Sequence, residues 1–314
     1  MEHIYHYTSI EAFDKMLKNM KEAGSSNLKF WASNIHYMND PHELEFIYDE
    51  LIKVLPEIEQ EIGIKEFPFS SLFSMNNNQG FTIDFLKDIR DKVFNRIFRS
   101  AYAISFSKKK DYLPMWSLYG NNGGGLCLEF DYEALKKHIV SDAASLAKRV
   151  LELSYDIKDQ SIWNSIISYY KYYHDVLSEQ DGNVDPIKQC REFTACVLLE
   201  LAPYLKHPTY SYEEEVRLFY HVIIEGDADD IIAKADVEPM DGMVGKYNLP
   251  EVRVRNGLLV PYVEIEIPLD CIKTVIVGPT LYPQLQSEAL RVLFRKTGVK
   301  DIRIEESEIP FRRL

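Results

Sequence analysis

Apolar residues recur along this chain with two different periods, and the switches between them outline strands and helices in alternation. Ile10, Phe13, Leu17 and Met20 recur at helical spacing, after a first stretch that reads as a short strand and a turn. Thr8-Ser9-Ile10-Glu11 matches a capping box, in which the Thr8 hydroxyl and the Glu11 carboxylate would satisfy backbone donors of the first turn. Leu28 to Ser33 alternates as a strand. Asn39-Asp40-Pro41-His42-Glu43 predicts the start of a second helix, with Asp40 as cap and Pro41 in the first turn, running to about Glu61. Residues 67–80 then predict a loop, and residues 83–99 a further helix.

Tyr102 to Ser107 alternates again, and Leu126, Leu128 and Phe130 form the apolar face of the next strand. Between them Met115-Trp116-Ser117-Leu118-Tyr119 runs into Gly120-Asn121-Asn122-Gly123-Gly124-Gly125, which predicts a glycine-rich bend between a helical turn and a strand. Residues 161–207 carry helical spacing with a break at 180–185, where Asp185-Pro186 would cap the second helix of a pair. Strand patterns resume at 215–223, 261–267 and 272–277. A helix over 284–297 ending at Gly298 and a last strand near 301–305 complete the chain. This is an α+β pattern. No repeat, low-complexity tract or linker divides it, so a single domain over 1–314 is expected, with a helical insertion over 156–207.

Composition narrows the function classes. A hydrophobic content of 46% and an aromatic content of 12% are enough for a sizeable core and argue against disorder. The net charge of −13 argues against a general nucleic-acid coat protein, which needs cations to neutralise phosphates. Lys108-Lys109-Lys110 and Arg312-Arg313 are the small basic exceptions, and both also read as solvated surface charge. Cys127, Cys190, Cys196 and Cys271 form no CxxC pair, so zinc and a disulfide framework lack the needed spacing. With no apolar leader after Met1 and no apolar run of about eighteen residues, a soluble cytoplasmic protein is expected, with no membrane partner.

The strongest chemical signal is Tyr212-Glu213-Glu214-Glu215-Val216-Arg217. On a strand, period-two geometry puts Glu213, Glu215, Arg217, Phe219 and His221 on one face, with Leu218 and Tyr220 on the other. Two carboxylates beside an arginine can hold a ribose hydroxyl, steer a nucleophile or stabilise a developing positive charge. The same spacing is also met by a solvent-facing strand with Glu–Arg pairing. His6-Tyr7-Thr8 offers a second candidate, where His6 can donate to a ligand oxygen, although packing of His6 and capping by Thr8 account for the segment more simply. Trp116 and Tyr119 could wall a planar ring. The glycine run lacks both the P-loop Lys-Ser/Thr and the GxGxxG fingerprint, and no GxSxG elbow occurs. No metal-ligand triad emerges either.

HYTS, NDPHE, MWSLYG with GLCLEF, KHPTYSYEEEVR, VRNGLLVPY, VIVGP and SEIPFR occur in that order, and together they resemble the bacterial family called domain of unknown function 2971. The early His-Tyr-Thr, central aromatic segment and late Glu-x-Glu are in turn similar to ADP-ribosyltransferases and to toxins of abortive infection in phage defence. The resemblance implies a mixed or antiparallel β core of the ADP-ribosyltransferase type with flanking helices, and NAD as substrate without a metal. It implies that His6 grips the NAD ribose, that Tyr119 or Trp116 stacks on nicotinamide, and that Glu215 promotes transfer with Glu213 in support. His6, Tyr7, Thr8, Trp116, Tyr119 and Arg217 are then the residues expected to hold the nucleotide. The Ser-Thr-Ser of the arginine-modifying class is absent, so the His-Tyr-Glu type of site is the nearer comparison. The acceptor macromolecule stays open, as does a homodimer or an antitoxin partner. A non-catalytic recognition module and a nuclease are the alternatives.

Overall fold

Period-two alternation turns into a ten-stranded sheet in the computed structural model, which describes residues 2–40, 45–65, 68–74, 101–141, 148–178, 186–221, 250–255 and 257–310. The strands are β1 (His3–Thr8), β2 (Asn27–Asn34), β3 (Ala101–Ser107), β4 (Leu126–Asp131), β5 (Lys148–Glu152), β6 (Glu215–His221), β7 (Glu251–Arg255), β8 (Leu258–Pro268), β9 (Ile272–Val277) and β10 (Arg303–Glu306). The helices are α1 (Ile10–Glu22), α2 (Glu45–Ile62), α3 (Phe69–Ser74), α4 (Leu113–Leu118), α5 (Tyr132–Ser141), α6 (Gln160–Ser178), α7 (Pro186–Leu201) and α8 (Pro283–Thr297). The chain divides into two compact units. One holds Met1–Asn34, Tyr102–Glu152 and Tyr212–Leu314, and the other holds Ile35–Ala101 and Leu153–Ser211.

The first unit is built on the sheet, in the order β10-β9-β4-β1-β3-β2-β8-β7, with β6 beside β3 and β5 beside β6. β9 and β10 run parallel, whereas β1–β4, β4–β9, β2–β8, β7–β8 and β5–β6 are antiparallel. One face carries the main core. Leu128 and Phe130 of β4, Ile104 and Phe106 of β3, and Val216 and Leu218 of β6 pack there with Phe13 and Leu17 of α1 and Leu290 of α8. Alternation then forces Cys127, Ser105, Ser107, Glu215 and Arg217 toward the opposite face. A smaller cluster of Tyr5, Tyr7, Met115, Trp116, Cys127 and Ile276 lies on that side. The architecture is therefore α+β, with a mixed, mainly antiparallel sheet and flanking helices.

Two local expectations are corrected. The cap of α1 is Ser9 rather than Thr8: the Ser9 hydroxyl accepts the Ala12 N–H at 3.1 Å, and Thr8 ends β1. Two adjacent hydroxyl residues both fit the capping pattern, and the β1 ladder settles which one leaves the strand. Within the expected loop, Phe69–Ser74 is helical, and the remainder of 75–80 lies outside the described residues. So do the expected helix over 83–99, the break at 180–185, and Pro41, His42 and Glu43. The helix expected over 284–297 is α8, which ends as foreseen at Gly298 in the left-handed region, with φ of +78°.

The second unit contains α2, α3, α6 and α7. Leu51, Leu55 and Ile58 of α2 are buried with Phe69, Tyr170 and Phe193. The Phe69 ring lies 4.6 Å from that of Tyr170 and 5.4 Å from that of Phe193. Glu59, also buried, accepts the Ser70 N–H and the Tyr170 hydroxyl, each at 2.8 Å, and the Ser70 hydroxyl. This carboxylate caps the start of α3, a tertiary reason why a stretch without helical spacing is helical.

Candidate functional site

Glu213 closes a 3-10 turn, Pro208–Glu213, and Glu215 opens β6. Glu214 between them is left-handed, with φ of +41°. A side chain in that region costs on the order of 1 kcal/mol or more, so it is held there by its surroundings. Its carbonyl accepts the Lys108 N–H at 3.0 Å, and its carboxylate meets the Lys109 ammonium at 2.6 Å at the surface. Its two neighbours turn inward: Glu213 is 3% exposed and Glu215 2%.

Glu215 is held by a fork. Its Oε1 accepts Nε of Arg217 at 2.9 Å and its Oε2 accepts Nη2 at 3.0 Å, while the Ser105 hydroxyl donates to Oε1 at 2.6 Å. Arg217 is fully buried. The Glu–Arg pairing legible in the spacing is thus present, but inside the protein rather than on a solvent-facing strand. Its cationic partner offsets the charge of Glu215 where water cannot.

Glu213 has a different neighbour. Its Oε1 accepts the Tyr119 hydroxyl at 2.6 Å, and its carbonyl accepts the Ser107 hydroxyl at 2.5 Å. Tyr119 itself is half-buried. Burial, then the negative charge of Glu213, pushes its phenol well above the usual tyrosine range. At neutral pH the phenol keeps its proton and acts as a donor.

Ser105 and Ser107 escaped the sequence reading. Their signal was there: in YAISFS they occupy the face left by Tyr102, Ile104 and Phe106, and two hydroxyls on that face call for partners.

His6 is placed elsewhere. Its Nδ1 donates to the Ser105 carbonyl at 2.9 Å, and its ring lies 5.6 Å from both Phe30 and Phe106. Those two phenylalanines belong to the main core, so His6 occupies the sheet face opposite Glu215. β3 takes β1 at Ser107 and β2 at Ala103 and Tyr102, and the His6 ring bonds the carbonyl lying between. Burial pushes the His6 pKa below its ordinary value. This residue therefore bridges a fork in the sheet as a neutral imidazole.

The remaining candidates pack together. The Tyr7 hydroxyl donates to the Lys109 carbonyl at 2.9 Å and accepts the Tyr112 N–H at 3.1 Å. Its ring meets Trp116 edge-on at 4.9 Å. Trp116 is fully buried, and its Nε1 donates to Asp111 at 2.7 Å, so it presents no open ring face. The glycine run serves close packing: a Cβ at Gly120 would stand 2.5 Å from the Trp116 ring, and one at Gly125 would collide with the Thr8 carbonyl. Thr8, buried at the end of β1, is thus locked to that bend. The structure brings together Glu213, Glu215, Arg217 and Tyr119, adds Ser105 and Ser107, and leaves His6, Thr8 and Trp116 as framework.

Among the described residues no group of three His, Cys, Asp or Glu side chains is placed to hold a metal ion, and no helix is long and apolar enough to cross a membrane. No curated protein and no solved structure matches the chain. One family model does match: residues 115–218, a stretch narrower than the run of motifs from HYTS to SEIPFR but one that carries Tyr119, Glu213, Glu215 and Arg217, are similar to the family described as protein of unknown function (DUF2971).

Proposed function

We propose that this protein cleaves the nicotinamide–ribose bond of NAD, as an ADP-ribosyltransferase or as its relative that passes the sugar to water. The observation that carries the reading is the buried pair Glu213 and Glu215, joined through a left-handed Glu214 and reached through the half-buried Tyr119. Strained backbone between two preorganised carboxylates is the kind of arrangement that functional sites retain.

The roles follow from position. Glu215 is neutralised by Arg217 and braced by Ser105, so it serves as the fixed support. Glu213 accepts the hydroxyl of Tyr119, a side chain only half-buried, and its carboxylate is the one we assign to the oxocarbenium centre. This exchanges the roles that the resemblance to ADP-ribosyltransferases implied. In the reaction the C–N bond breaks, neutral nicotinamide departs with the bonding electrons, and an acceptor hydroxyl or water adds to the sugar carbon. Glu213 orients that acceptor and takes its proton. An ADP-ribosyltransferase-like arrangement of the sheet, and action as a toxin or in phage defence, belong to the same reading. A recognition module is the second reading, favoured by the fact that Glu215 is already paired within the protein.

The test is nicotinamide release from NAD by the purified chain, with and without cell lysate as acceptor source, beside Glu213→Gln and Glu215→Gln. The expected result is release by the wild type and a loss of about 10²–10³-fold in Glu213→Gln with its fold intact by circular dichroism. Absence of both turnover and NAD binding in every condition would leave the recognition module.

A further inference from the structure

The far end of the sheet carries an open edge. Among the described residues β7 has one neighbour, β8, and it ends the strand order. Val252 and Val254 of β7 are 59% and 74% exposed, and Leu259 of β8, which pairs with Val254, is 66% exposed. Alternation places these three on one face. An open edge flanked by bare aliphatic side chains is a template for a further strand.

The geometry points to a second copy of this chain as the occupant, with β7 pairing antiparallel to the partner's β7 about a twofold axis through Arg253. The sequence Glu251-Val252-Arg253-Val254-Arg255 is complementary to itself in that register. Glu251 falls opposite the partner's Arg255, and Val252 opposite the partner's Val254, twice over by symmetry. The backbone phase agrees. Two residues separate Arg255 from its partner Leu258, so this is the closing hydrogen-bonded pair of a tight hairpin, and Arg253–Val260 and Glu251–Tyr262 repeat it. The N–H and C=O groups of Val252 and Val254 therefore point away from β8, as the proposed ladder requires.

The residue on the axis is the one place where like charges would meet. Arg253 is drawn back from it: its guanidinium lies 5.0 Å from the Trp31 ring and 5.6 Å from that of Tyr262, and Nη2 donates to the Ser33 hydroxyl at 2.7 Å. Arg255 is exposed and remains available to the partner's Glu251. Charged residues on an edge strand usually guard against pairing. Here they select one partner, the same strand run in the opposite direction.

Sedimentation velocity on the full chain over a dilution series tests this. The wild type is expected at twice the 36.6 kDa chain mass. Glu251→Arg and Arg255→Glu each place like charges opposite one another twice, and each is expected to raise the dissociation constant at least about tenfold. The double variant Glu251→Arg with Arg255→Glu restores the pairing and with it the dimer. Val254→Pro, which removes one outward N–H from an edge strand that tolerates proline, is expected to be monomeric with an unchanged circular dichroism spectrum. A monomeric wild type, or dimers indifferent to both single charge reversals, would overturn the proposal.

Discussion

Glu59 in the helical unit and Glu213 in the sheet unit are both buried, both accept a hydrogen bond from a tyrosine, and differ in what surrounds that bond. Glu59 is closed in. Tyr170 is fully buried, its hydroxyl also accepts the Phe69 N–H at 3.1 Å, and Ser70 supplies two further donors. Every one of these partners fixes α3 to α2 and α6, so the carboxylate is a brace. Glu213 instead meets Tyr119, which is half-buried, beside a left-handed residue and a second carboxylate that owns an arginine. A buried glutamate is thus no sign of chemistry by itself. The exposure of the tyrosine that bonds it and the strain in the adjoining backbone separate the two.

The largest effect should come from Arg217. Arg217→Met leaves Glu215 buried without its cation and should destabilise the protein by about 3–5 kcal/mol, read as a drop in the urea midpoint. Replacing both members, with Glu215→Leu beside Arg217→Met, should recover most of that loss, because the cost lies in an orphaned charge rather than in a missing contact. Failure of the double variant to recover would mean that Glu215 braces Ser105 and β3 as Glu59 braces α3.

The two tyrosines give the next test. Tyr170→Phe removes a donor to Glu59 and strands the Phe69 N–H, and about 1–3 kcal/mol of stability should go with it. Tyr119→Phe, half open to water, should cost less than about 1 kcal/mol in thermal unfolding while lowering nicotinamide release. Equal destabilisation by the two would make Glu213 a second internal brace.

The last effect concerns Glu214. Glycine accepts a φ of +41° freely, so Glu214→Gly should raise stability by on the order of 1 kcal/mol, with the exposed Lys109 pair returning only a fraction of that. A fall in stability would show that the Glu214 side chain holds the turn and that the backbone stores no strain.

Much of the frame could be read from local pattern. The strands at 102–107 and 272–277, the helix ending at Gly298 and the glycine-rich bend after Tyr119 each follow from short-range spacing, and all are present. α5, β5 and β7 went unread. Lys148–Glu152 and Glu251–Arg255 alternate weakly and carry charge, and they become strands because β6 and β8 offer them an edge. Of the site, the same-face placement of Glu215 and Arg217 was legible, since strand geometry relates residues two apart. His6 could not be placed, because a histidine before a helix looks the same whether it faces a ligand or bridges a fork in a sheet.

The sequence by itself determined the class of most elements and the side of β6 from which Glu215 and Arg217 project, because periods of 2 and 3.6 residues are properties of the local backbone. Only the tertiary structure decided that these charges are buried, that Tyr119 reaches Glu213 across 94 positions of sequence, and that Ser105 reaches Glu215 across 110. Those contacts depend on which strands become neighbours and on the left-handed turn at Glu214, and no short-range spacing encodes either.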